Sequence, residues 1–230
     1  MRPTVAPDLR AAGAVSWLSR IEPVVAGPSL GEVALFRGFK DDFLGDLLDD
    51  RYEQRTEAAA RSSLVLQDGA HGGVLRLLTG NVAADYARIM LGDQTYATDN
   101  LDPDDGFELI GYWKLSATTS ILGDMFVNAP VNEHIHVTAD TDQGGNWYLR
   151  TFDGVGVDTF TDSGVAIDTD WHWHRLLVES QYAAHYLDGA LINYTAVEIP
   201  TIPMTANMRC LARANASKYV DLDFCAVIAR

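Results

Sequence analysis

From Leu64 onward the chain falls into short apolar runs fenced by Gly, Asp, Asn and Pro, and within several of them every second residue is apolar. That period of two constrains the fold more than any other feature, because alternate side chains of an extended strand point to opposite faces. A helix would need apolar residues every three or four positions instead. Phe107, Leu109, Gly111, Trp113 and Leu115 form one such set, and Val131, Ile135, Val137 and Ala139 form another, leaving Asn132, His134, His136 and Thr138 on the other face. Val74 to Thr79, Tyr86 to Leu91 and Trp147 to Phe152 read as further strands, with Gln143-Gly144-Gly145-Asn146 as a turn. Near the end, Val220, Leu222, Phe224, Ala226 and Ile228 are expected on one face and Asp221, Asp223 and Cys225 on the other. The best helical stripe, Lys40 to Ala60, suggests a short helix or an irregular edge, and Ala11 to Arg20 allows another short helix. The fold class that follows is all-β, an antiparallel two-sheet sandwich with an extended N-terminal arm.

With 230 residues, 47% of them hydrophobic, the chain can bury a sizeable core without disulfide or metal staples. Its two cysteines, Cys210 and Cys225, lack CxxC spacing and read as free buried thiols, a bridge between neighbouring strands being the alternative. The formal charge of −15 repels phosphate backbones and anionic lipid, which argues against nucleic acid and membrane partners. Neither a secretory leader at Met1 to Pro7 nor an apolar run long enough to span a bilayer is apparent.

Residues 1–38 differ from the rest, with prolines at 3, 7, 23 and 28 and one apolar patch around Val15, Trp17, Leu18 and Ile21. They are read as an arm, and residues 39–230 as the sandwich. Trp17, Leu18 and Ile21 need a surface to cover them, either the sandwich itself or a neighbouring subunit.

Trp171-His172-Trp173-His174-Arg175-Leu176-Leu177-Val178-Glu179, followed by Ala184-His185-Tyr186-Leu187-Asp188-Gly189-Ala190-Leu191-Ile192, resembles the paired strands of laminin-G and concanavalin A-like domains. Asp188-Gly189 suits the positive-φ turn of a tight hairpin. The likeness extends to Asp41-Asp42-Phe43, Leu48-Asp49-Asp50-Arg51-Tyr52, Gly72-Gly73-Val74-Leu75-Arg76-Leu77, Ile199-Pro200-Thr201 and Val220-Asp221-Leu222-Asp223-Phe224. Within that group the chain looks most like the jelly rolls of tailed-bacteriophage virion proteins. The resemblance implies a non-catalytic structural component of a virion, assembled in the host cytoplasm. It would act as a head decoration or tail part through contacts with other virion proteins and as a homo-oligomer, trimers being common among such parts. The competing implication is a lectin-like adhesion module that binds a surface glycan.

No E-x-D-x-E run supplies paired carboxylates for glycoside hydrolysis, and no nucleophile elbow, P-loop or HExxH is present. A polysaccharide lyase would need a His-Tyr-Arg group that spacing cannot establish. No cofactor is expected apart from calcium, for which Asp99, Asp102, Asp104 and Asp105 are candidates, with Asp140 and Asp142 as a second cluster. His134 with His136 and His172 with His174 lie two apart on strands without a convincing third metal ligand. Trp147 and Tyr148 are candidates for stacking on a sugar, and Trp113 is expected in the core.

Overall fold

The computed structural model describes residues 73–90, 101–129 and 132–229, together with the backbone of strands 37–41, 53–56 and 63–67. Among these residues every regular element is a β-strand, paired antiparallel throughout. One sheet has eight strands in the order β13 (Ala190–Thr195), β12 (Tyr182–Leu187), β11 (His172–Glu179), β6 (Phe107–Leu115), β15 (Tyr219–Ala229), β4 (Val74–Leu78) and β3 (Ser63–Gln67), with β1 (Arg37–Asp41) also pairing β15. The other has seven, in the order β10 (Thr159–Ala166), β9 (Asn146–Phe152), β8 (His134–Asp140), β7 (Ile121–Asn128), β14 (Thr205–Ala212), β5 (Tyr86–Met90) and β2 (Glu53–Thr56). The chain therefore folds as a two-sheet jelly-roll sandwich. The described parts of the 40–60 stretch are strands, because β1 finds a partner in β15 and β2 in β5, a long-range reward that overrides a weak helical pattern. β1 also straddles the expected boundary between residues 38 and 39.

Alternation places the core as expected along most of the chain. Phe107, Leu109, Trp113 and Leu115 of β6 pack against Met125 and Val127 of β7, Ile135 and Val137 of β8, and Trp147 and Leu149 of β9. Each large apolar side chain removed from water contributes about 1.5–3 kcal/mol. Gly123 of β7 faces Leu115, Val220 and Trp113 across the sandwich, where a Cβ would collide with Leu115 and crowd Val220, so the sheets approach closely there. The hairpin between β12 and β13 turns on Asp188 (φ 49°) and Gly189 (φ 85°), two consecutive left-handed residues whose twist matches the flanking strands.

One strand departs from its expected pattern. Pairing of β15 with β6 shifts register between Leu222 and Phe224, a bulge at Asp223. The extra residue reverses the parity, so Val220 and Leu222 point into the core and are followed there by Cys225 and Val227. Phe224 and Ile228 turn to the outward face instead and pack with Trp173 around Ile110 and Ala226. Cys210 and Cys225 are both free, buried thiols, one in each sheet.

Candidate functional site

The outward face of the seven-stranded sheet carries the polar half of each alternating strand, and there it forms a cleft of about 370 Å³. Arg88, Phe126, Asn128, His134, His136, Arg150 and Arg209 line it. Strand register explains their convergence. Phe160, Arg150, His136, Phe126 and Asn207 are successive cross-strand neighbours on β10, β9, β8, β7 and β14, and Asp124 and Arg209 face Arg88 along the adjacent line.

Asp124 is the buried centre of this network. Its carboxylate, wholly removed from solvent, accepts hydrogen bonds from His136 Nδ1 at 2.8 Å and from Arg209 Nε and Nη2 at 3.1 and 2.5 Å. Burial alone would raise its pKa, yet the Arg209 charge and the His136 bond outweigh that and hold the carboxyl well below the usual range. For His136 the balance is reversed: burial dominates the Asp124 bond and pushes the imidazole down to about 3. His136 is thus neutral, with its proton on Nδ1 directed at Asp124 and Nε2 left as an acceptor on the cleft side. Burial likewise lowers His134, which bonds Asn132 O through Nδ1 at 3.0 Å and approaches Asp158 through Nε2 at 3.4 Å.

The arginines are held rather than loose. Arg150 is bidentate to Asp158, and Arg88 donates to Asn207 Oδ1 and Asn128 Oδ1 at 2.8 and 3.0 Å. The Arg88 and Arg209 guanidinium groups flank the Phe126 ring at 5.1 and 5.2 Å. Chemically, the cleft offers planar guanidinium donors, amides and one oriented imidazole acceptor. The described lining contains no pair of carboxylates of the kind that double-displacement or inverting glycoside hydrolysis uses.

The residues singled out from sequence lie elsewhere, apart from the two histidines of β8. Trp147 is 1% exposed, packed edge-on to Trp113 at 5.3 Å and against His174 at 4.6 Å. It offers no face to a sugar because it sits at a core-facing position of β9. Tyr148 points outward but is also buried, against Phe160, with its hydroxyl donating to Gln143 O. Asp102 caps its own turn by accepting the Asp104 amide, and Asp104 and Asp105 are exposed. Asp140 and Asp142 both pair with Arg213. Among the described residues no group of three or more His, Cys, Asp or Glu side chains is placed to hold a metal ion. Asp99, Trp17, Leu18 and Ile21 lie outside the described residues.

His174 and His185 stack at 5.4 Å inside the sandwich, wholly buried and joined by an Nδ1 to Nε2 hydrogen bond of 3.2 Å. His172, at the rim of the same row, bonds Asp188 at 2.6 Å and Asp168 at 2.8 Å, and is raised to about 9, the Asp188 bond being the largest cause. The sequence reading missed Asp124, Phe126 and Asn128 of β7, Arg88, Arg150, and Asn207 and Arg209 of β14. A partial signal lies in Gly123-Asp124-Met125-Phe126-Val127-Asn128, where Asp124 and Asn128 alternate with the core positions Met125 and Val127 and Phe126 interrupts the pattern.

No family model and no curated protein matches the chain. Solved structures do share its fold. A β-1,3-1,4-glucanase (lichenase) derived from a mouse hindgut metagenome is 14% identical, with a TM-score of 0.60 over 84% of this chain and 99% of that one. A protein of unknown function from Shewanella oneidensis is 12% identical, with a TM-score of 0.64 over 92% and 93%. An alginate lyase of polysaccharide lyase family 7 is 12% identical, with a TM-score of 0.54 over 72% and 83%. What the chain shares with these structures is the two-sheet jelly-roll fold. This overturns the expectation that the chain lacks enzymatic activity, because that expectation leaned on a structural-protein resemblance and the same sandwich frames a glucanase and a lyase.

Proposed function

We propose that the chain is a carbohydrate-active protein that holds a glycan in the cleft on the seven-stranded sheet. The observation that carries this reading is the register line of Arg150, His136, Phe126 and Asn207, which sets fixed donors and an acceptor across four strands beside a cleft of about 370 Å³. That volume falls within the roughly 300–1,000 Å³ of ordinary ligand pockets. Side chains already locked by ion pairs lose little freedom on meeting hydroxyls, so each bond formed is retained in the affinity. The test is a glycan panel probed by direct binding, with release of reducing or unsaturated ends followed in parallel. Saturable binding to at least one glycan, weakened by about tenfold in His136→Phe with the sheet signal of circular dichroism intact, is the expected result. If no member of the panel binds at millimolar concentration, the reading is wrong.

A second reading, assembly into a virion as a homo-oligomeric part, follows from the resemblance of the sequence to the jelly rolls of tailed-bacteriophage virion proteins. β1 pairs with Cys225–Ala229 of β15 in the eight-stranded sheet, which the cleft strands do not belong to. On this reading Trp17, Leu18 and Ile21 contact a neighbouring subunit. Deleting residues 1–36 is expected to abolish incorporation into particles while leaving glycan binding in place. Normal incorporation of the truncated chain would remove the assembly role.

A further inference from the structure

The charges around the cleft cancel locally. Arg209 is satisfied by Asp124, Arg150 by Asp158, and Arg213 by Asp140 with Asp142 beside it, so three guanidinium groups of this face meet four carboxylates, while Arg88 donates to the amide oxygens of Asn207 and Asn128. Both histidines of β8 have lowered pKa values, burial being the largest cause for each, and are neutral near pH 7. A polyanion approaching this face would meet no net positive field to offset the repulsion of a chain carrying −15. What the cleft presents is directional. Because Asp124 takes the Nδ1 proton, His136 Nε2 can only accept, and the guanidinium nitrogen that Arg150 and Arg209 each leave out of their ion pairs, Nη1, can only donate. An alternation of acceptor and donors suits groups that do both, and a hydroxyl is such a group.

On that geometry we infer that the cleft takes an uncharged glycan, with a sugar hydroxyl donating to His136 Nε2 and accepting from Arg209 or Arg150. The inference rests on the glycan reading above and narrows it to a chemical class. Asp124 acts at a distance from the ligand as a positioning residue that sets the tautomer of His136.

Isothermal titration of the full chain with laminarin and mixed-linkage β-glucan, set against alginate and polygalacturonate, tests it. The expected outcome is binding of an uncharged glycan whose affinity changes by less than about twofold between ~20 and ~300 mM salt, because no counterions are released. His136→Phe is expected to cut that affinity by about tenfold or more, and His136→Gln, which retains an acceptor, to recover part of it. The ¹⁵N resonance of His136 Nε2 should report an unprotonated nitrogen that shifts when laminarin or mixed-linkage β-glucan is added. Binding of the anionic polymers alone, or of both classes equally, would overturn the inference and leave the glycan reading standing. Uncharged-glycan binding that is indifferent to His136→Phe would also overturn it, whereas a panel without any binder would sink both.

Discussion

Asp124 shows how one buried carboxylate organises a surface. Its two oxygens take three hydrogen bonds, and Arg209 depends on it for neutralisation. Replacing it by Asn keeps the shape but strands a guanidinium, and Asp124→Asn is expected to lose about 3 kcal/mol in urea unfolding, the range for breaking a buried pair from one side. His172 provides a contrasting case at the rim. Asp188 and Asp168 raise its pKa to about 9, so its ion pairs stabilise the fold fully below its unfolded value near 6.5 and are lost as pH rises through about 9. Asp168→Asn should bring the His172 titration measured by NMR back towards 6.5. Neither pairing was legible in the sequence. The β8 histidines were seen to share a face, but their partner Asp124 lies on another strand, and nothing local announces it.

Elements were more readable. The β12–β13 hairpin was visible as Asp188-Gly189 because a two-residue turn with both φ values positive admits few residues, and that restriction is local. Gly189→Val is accordingly expected to destabilise the protein by about 1–3 kcal/mol, measurable as a lowered denaturant midpoint with the cleft residues untouched. β15 marks the limit of such reading. Its alternation from Val220 to Ile228 is regular in sequence, yet the bulge at Asp223 sends Cys225 and Val227 inward and Phe224 and Ile228 outward. After Asp223 the run from Phe224 to Ile228 is apolar at every position and carries no parity of its own, so the partner strand β6 decides it.

At the scale of the whole molecule, the buried histidines bind the fold to pH. His174 and His185 are held below 6.5, His185 at about 3, chiefly by burial, and His136 likewise at about 3. Unfolded, each takes up a proton near pH 6.5, so the unfolded state binds more protons and stability falls as pH drops from about 6.5 towards 3. The slope is about 1.4 kcal/mol per pH unit for each such histidine. Urea midpoints across that window should fall steeply in the parent protein and less steeply in His185→Phe. The interior is equally sensitive to volume. Trp113 is wholly buried against Trp147 and His174, and Trp113→Ala is expected to cost about 3–5 kcal/mol, more than any surface change in the cleft.

The class of the fold, the strands that begin near Val74, Tyr86, Phe107, His134, Trp147 and His172, and the tight hairpin belong to the sequence by itself, because they follow from residue alternation and turn sterics between neighbours in the chain. The cleft belongs to the tertiary structure. Arg209 reaches Asp124 from 85 residues away, and Arg88 reaches Asn207 from 119. Those meetings depend on which strands lie side by side, which is settled only when both sheets bury their apolar faces against one another.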